Sequence, residues 1–177
     1  QHVELTRKIA ERFNNLYGES FVVPNFIIPK EGARIMMLDS PTQKMSKSEA
    51  SDGCVFLLDE PDVIRRKFKR AVTDSLGSIG GTKEDQPGIY NLLETLSAIT
   101  GQTHQSLLSE WSGRGYGDLK AAVGEAVVAE LEPLQEKFKT YRADETLLHQ
   151  VIGEGKSRSE AVANRKLELI KQKLGLV

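Results

Sequence analysis

The chain has 177 residues, 39% of them hydrophobic and 28% charged, with a formal net charge of -1. That is enough to bury a core in one ordinary domain or two small ones, and the near-neutral balance excludes a generally basic nucleic-acid-binding domain. No apolar run approaches the roughly 20 residues that would cross a bilayer, and a single cysteine, Cys54, excludes a disulfide framework or a cysteine-based metal site.

Residues 1 to 60 hold 7 basic and 9 acidic side chains, and residues 61 to 177 hold 17 and 16. Any contact with RNA must therefore be local. Cys54 reads as a small buried hydrophobe. His2, His104 and His149 lack metal-ligand spacing and read mostly as surface residues. With no signal peptide in view, a soluble, cytoplasmic protein is expected. Helical periodicity begins at once from Gln1, which reads as a piece of a longer protein.

Leu5, Ile9, Phe13 and Leu16 share one helical face, and Gly18 marks the stop after Tyr17. Phe21–Val23 and Phe26–Ile28 are β-favouring runs punctuated by Pro24 and Pro29. Arg34 to Leu38 suggests a buried strand or the turn after one. A loop opens at Asp39-Ser40-Pro41-Thr42 and runs to Ser51-Asp52-Gly53, and Val55 to Leu58 is another extended run.

From residue 61 the texture is helical. Pro61 suits a first helical position, ahead of an apolar stripe at Val63, Ile64, Phe68, Ala71 and Val72. After a polar connection at 74–87, Ile89, Leu92, Leu93, Leu96 and Ile99 define a helix closed by Gly101, and a short helix covers about Thr103 to Trp111. A glycine loop at 113–117 leads to a long helix that Pro133 should break or kink. Gly153 and Gly155 should interrupt the next helix, and Ala163, Leu167, Ile170 and Leu174 mark a last one.

Lys44-Met45-Ser46-Lys47-Ser48 is the stretch that carries chemistry. Two lysines three positions apart, with hydroxyls between and after them, can wrap a polyphosphate. An ammonium about 4 Å from a phosphate oxygen contributes on the order of 4 kcal/mol at an intermediate dielectric. A solvated lysine/serine loop, open to phosphorylation, is the alternative on composition alone.

The five residues match the second signature of class I aminoacyl-tRNA synthetases, a coincidence of roughly one in ten thousand for a chain of this size. Gln1-His2 with Glu4-Leu5-Thr6-Arg7, Pro29-Lys30, Gly32-Ala33-Arg34-Ile35-Met36, Ala71-Val72-Thr73-Asp74-Ser75, Pro87-Gly88-Ile89, Asn91-Leu92-Leu93 and Gly115-Tyr116-Gly117 resemble the tryptophanyl-tRNA synthetases in particular. Tyrosyl-tRNA synthetases are the nearest competitor. The resemblance covers essentially the whole chain.

It implies a mainly α chain: the C-terminal end of a Rossmann-like α/β catalytic domain at residues 1–60, then an α-helical, tRNA- and anticodon-binding domain at 61–177. It further implies a ligase that activates tryptophan with ATP and transfers it to tRNA(Trp), a homodimer when full length, with Mg²⁺ bound through the ATP phosphates. Lys44 and Lys47 would contact the pyrophosphate as the catalytic pair, with Met45, Ser46 and Ser48 lining the loop. The main chain of Ile35 would contact adenine, although Ile35 also reads as a plain strand-core residue. The family's HIGH-like signature, its glycine-acid-aspartate-glutamine segment and its tryptophan pocket have no match here, so the isolated segment is expected to be inactive. A non-catalytic RNA-binding or interaction module of synthetase ancestry is the competing reading.

Arg65, Arg66, Lys67, Lys69 and Arg70 read as a solvated helix face or a tRNA phosphate contact. The C-terminal basic residues Lys156, Arg158, Arg165, Lys166, Lys171 and Lys173 carry the same two readings. Trp111 reads as packing rather than a base-stacking platform, and Asp74 as turn or cap chemistry.

Overall fold

The structure, a computed structural model, describes residues 1–28, 34–48 and 51–176. Among these it has six helices and no β-strand: α1 His2–Tyr17, α2 Pro61–Arg70, α3 Pro87–Thr100, α4 His104–Trp111, α5 Tyr116–Ala143 and α6 Glu145–Leu174. The chain divides into two compact units. One comprises residues 1–28 and 140–177, the other residues 29–139, so the division falls inside α5.

The second unit holds a continuous dry core. Ile64 and Phe68 of α2, Ile89, Leu92, Leu93 and Leu96 of α3, Leu107 and Trp111 of α4, and Leu119, Val123 and Val127 of α5 form one buried cluster. Each fully buried Leu or Ile contributes about 1.5–3 kcal/mol of transfer free energy. Proline stands at the start of α2 and of α3, where its missing N–H costs nothing. Gly101 closes α3 in the left-handed conformation at φ 72°, and Thr103 caps α4 by accepting from the Ser106 N–H. Gly88 is required by proximity: a Cβ there would lie 2.2 Å from the Val72 carbonyl oxygen.

The first unit is built differently. Asn14 of α1 accepts from the Ser20 and Phe21 N–H groups, both at 2.9 Å, and donates to the Phe21 carbonyl at 2.8 Å. Arg7 donates to the Pro24 carbonyl and lies over the Phe26 ring. The run after Gly18 therefore lies back along its own helix. Lys166 of α6 donates to the Ser20 carbonyl, and Lys173 to the carbonyls of Tyr17, Gly18 and Glu19. These lysines serve main-chain carbonyls at and just beyond the end of α1.

Several expectations need correction. The β-favouring runs at 21–23 and 26–28 do not form strands. Among the described residues no neighbouring strand pairs with them, and α1 side chains take main-chain groups at Ser20, Phe21 and Pro24 instead. Residues 34–38 and 55–58 are not strands either; the first contributes one antiparallel bridge, Met36 to Lys44. Pro133 does not end α5. Ala129, whose carbonyl the proline leaves unbonded, is exposed and so can be served by water. Gly153 and Gly155 do not interrupt α6, because a mid-helix glycine costs only about 0.5–1 kcal/mol.

Candidate functional site

The segment 35–38 is the spine of the site, and its main chain is bonded residue by residue. The Ile35 carbonyl accepts from the Met45 N–H at 3.0 Å, and the Met37 N–H donates to the Gln43 carbonyl at 2.8 Å. These two bonds flank the Met36–Lys44 pair, with Ser40 to Gln43 as the turn, closed by the Gln43 N–H on the Ser40 carbonyl at 2.9 Å. Leu38 donates to the Gly53 carbonyl at 2.8 Å and accepts from the Val72 N–H at 2.7 Å.

The loop between residues 39 and 53 is thus pinned at its base. Ser51 donates through its hydroxyl to Asp39 at 2.9 Å, and the Gly53 N–H returns to that hydroxyl at 3.1 Å. A Cβ on Gly53 would sit 1.9 Å from the Asp39 carboxylate, so the latch requires glycine. Cys54, next in line, is buried, and burial pushes its thiol above the ordinary value. It is an inert packing residue, as its isolation in the sequence suggested.

On this base sit the signature residues. Lys44, Lys47 and Ser48 are exposed, whereas Met45 and Ser46 are half-buried and Met45 packs against the core. Neither lysine ammonium has a hydrogen bond or ion pair among the described residues. Two unengaged cations therefore stand on an anchored backbone, the arrangement a polyphosphate requires. Ile35 is half-buried. Its carbonyl is taken by Met45, which leaves its N–H as its unbonded main-chain group among the described residues.

The basic cluster of α2 does not behave as one face. Lys67 is buried; its ammonium donates to the Cys54 carbonyl at 2.7 Å and pairs with Asp59 at 2.6 Å. It ties the chain leaving the loop to α2, which corrects its reading as a solvated or RNA-facing residue. Arg65 engages Glu125 and Asp62, and Arg70 pairs with Asp52. Only Arg66 and Lys69 are left without an ion pair among the described residues. Trp111 belongs to the core, not to a stacking surface.

Asp74 does turn chemistry, accepting from the Leu76 N–H at 2.8 Å, and it also joins a network. The Tyr116 hydroxyl donates to Asp74, and the Gln86 amide donates to the Tyr116 oxygen and to the Ser78 carbonyl. Burial pushes the Asp74 carboxyl up, but the bonds from Tyr116, Leu76 and Gln86 outweigh it and leave the group below the usual carboxylate range.

Sequence reasoning missed Lys67, the Asp39–Ser51–Gly53 latch and Asn91. Lys67 carried a signal, since it follows Ile64 by three positions and precedes Phe68, on the edge of the apolar stripe. The others depend on side chains meeting over long sequence separations, which no local pattern reports.

The family model described as tRNA synthetases class I (W and Y) matches residues 1–132. The chain belongs to this family. It is 47% identical over 177 residues to a tryptophan–tRNA ligase of Listeria monocytogenes, covering 99% of this chain and 53% of that protein. To a tryptophan–tRNA ligase of Clostridium perfringens it is 44% identical, with the same 53% of the relative covered. The chain thus spans about half the length of the curated relatives it matches. Among solved structures, the tryptophanyl-tRNA synthetase of Mycoplasma pneumoniae superimposes with a TM-score of 0.85 at 32% identity, over 99% of this chain and 55% of that one. The Campylobacter jejuni enzyme, described as complexed with ADP and tryptophan, shares the fold, with a TM-score of 0.64 at 24% identity. Similarity to tryptophan enzymes agrees with what the signature and its flanking segments implied.

Proposed function

We propose that this chain is the part of a tryptophan–tRNA ligase that handles the phosphates of ATP while tryptophan is activated. The full-length enzyme would join tryptophan to AMP, releasing pyrophosphate, and then transfer the aminoacyl group to the terminal ribose of tRNA(Trp). One observation carries the reading: Lys44 and Lys47 are exposed, and unengaged among the described residues, on a loop whose base is held at Leu38, Asp39, Ser51 and Gly53.

In this reading the two ammonium groups bind the phosphates, and Ser46 and Ser48 offer hydroxyls alongside. The Ile35 main chain meets adenine through its N–H, since its carbonyl already serves Met45. Mg²⁺ would come with ATP, held by phosphate oxygens rather than by a protein cage. Residues 1–60 would be the end of the catalytic domain and 61–177 the helical domain that meets the tRNA. The compact units divide the chain differently because Lys166 and Lys173 tie α6 to the end of α1. A cytoplasmic homodimer of the full-length protein completes the proposal.

The test is Lys47→Ala in the full-length enzyme. A cation that meets charge building in the transition state acts on kcat more than on ground-state binding. Adenylate formation should therefore fall at least about a hundredfold, with tryptophan affinity little changed. Lys47→Met should lose almost as much, because the charge is the cause. An unchanged rate would remove Lys47 from the mechanism. Tryptophan-independent tRNA binding with no ATP–pyrophosphate exchange in the unsubstituted protein would favour the non-catalytic reading.

A further inference from the structure

We propose that Asn91 of α3 is a positioning residue for the phosphate-handling loop: it supplies a strand-like edge that holds Met36, and through Met36 sets the spacing between Ile35 and Lys44. This rests on the adenylate-forming reading above and adds to it a residue outside the signature.

Hydrogen bonds at Ile35–Met45 and Met37–Gln43 make Met36 and Lys44 the non-hydrogen-bonded kind of antiparallel pair. At such a pair the N–H and C=O of the central residue point away from the partner. In a sheet the next strand would take them; here there is none among the described residues. Asn91 takes both. Its side-chain oxygen accepts from the Met36 N–H at 2.8 Å, and its side-chain nitrogen donates to the Met36 carbonyl at 2.9 Å.

The residue type is dictated by the task. A carboxamide carries one donor and one acceptor in a plane, as a peptide group does. Aspartate has no donor when ionised and would face the Met36 carbonyl with a second acceptor. Leucine has neither group and would leave two half-buried main-chain groups without partners. Asn91 is 5% exposed and sits between Ile89, Leu92 and Leu93, which are 0%, 1% and 0% exposed. The carboxamide thus projects from the buried face of α3, the kind of support that holds a reacting geometry. The lysine ammonium groups stay free for phosphate because the rigidity is supplied from behind, through the main chain.

The experiment is a double-mutant cycle in the full-length enzyme, combining Asn91→Asp with Lys44→Ala. It reads tryptophan-dependent ATP–pyrophosphate exchange, tryptophan affinity and thermal unfolding. Asn91→Asp should lower kcat about tenfold, the scale of one lost buried hydrogen bond, with tryptophan affinity within about twofold. In the Lys44→Ala background the same substitution should cost less than about threefold, because the group being positioned is already gone. A merely structural role predicts equal fractional losses in both backgrounds, and that result overturns the proposal. So does an unchanged rate for Asn91→Asp, or a loss matched by weaker tryptophan binding. If Asn91→Asp does not fold, Asn91→Ser passes through the same cycle, and the same outcomes support or overturn the proposal. Absence of tryptophan-dependent exchange in the unsubstituted enzyme sinks the underlying reading instead, and is told apart because it appears before any substitution is made.

Discussion

The two compact units of this chain use the same amphipathic patterning and bury very different amounts of it. In residues 29–139 the stripes of α2, α3, α4 and α5 meet in one core, and seven aliphatic side chains reach an exposure of 1% or less. In residues 1–28 and 140–177, α6 has no buried residue and α1 has one, Ala10. Of the stripe that defined α1 in the sequence, Phe13 is half-buried, whereas Leu5, Ile9 and Leu16 are 61%, 59% and 65% exposed. An apolar stripe states what a helix needs, not that the need is met. The first unit relies more on side chains bonding to main chain, at Asn14, Arg7, Lys166 and Lys173, together with ring contacts of Phe13 to Tyr17 and Phe21.

That contrast can be broken at its strongest point. Lys67→Met should be the most damaging single change, because it leaves the Asp59 carboxylate poorly solvated and without its cation. Removing one partner of a buried pair costs about 3–5 kcal/mol. Trp111, the one tryptophan of the chain, lies in the core of the second unit. Its fluorescence during urea unfolding therefore reports that unit by itself.

A paired substitution sharpens the comparison. Leu93→Ala should cost about 2–5 kcal/mol by the Trp111 signal, since Leu93 is fully buried. Leu5→Ala should stay within about 0.5 kcal/mol by the same signal, as exposed positions do. Equal effects would show that the two units do not unfold separately.

A smaller effect distinguishes the units by pH. The Asp74 carboxyl lies below its ordinary value in the folded protein, so its ionised form stabilises the fold above the unfolded carboxylate pKa, near pH 4. That contribution is lost as pH falls through the lower, folded value. Burial, then the bond to Asp74, pushes the Tyr116 hydroxyl up, so its contribution is present below about pH 10 and fades as pH rises further. Tyr116→Phe should flatten both limbs of the Trp111-detected stability profile. A profile identical to that of the unsubstituted protein would show the network to be energetically silent.

The smallest expected effect lies in the first unit. Lys173→Met removes the ammonium that serves three carbonyls at the end of α1 and should cost about 1 kcal/mol, the scale of a helix cap. It should lower far-ultraviolet circular dichroism stability while leaving the Trp111 transition in place. A shift of the Trp111 transition would mean that the cap supports the core of the second unit.

Much of this was legible in the residues. The ends of α1, α2, α3 and α4 follow from Gly18, Pro61, Gly101 and Thr103, because a local steric or hydrogen-bonding rule acts at each of them. The signature and its flanks pointed to the family, since a five-residue motif keeps its meaning without its surroundings. Continuity of α5 and α6 was not legible. The penalties at Pro133, Gly153 and Gly155 are single local terms, and a long helix with its exposed side toward water absorbs them.

By itself, then, the sequence determined which segments are helical and which loop carries the two cations, because both depend on neighbours within a few positions. Tertiary structure decided what holds that loop in place. Asn91 reaches Met36 across 55 positions, and Val72 reaches Leu38 from the far end of α2. Lys67 turns inward because Asp59 and the Cys54 carbonyl lie within reach of its ammonium. Whether a polar side chain is a solvated surface group or a main-chain brace depends on what the fold brings within about 3 Å of it, and that distance is set by packing rather than by pattern.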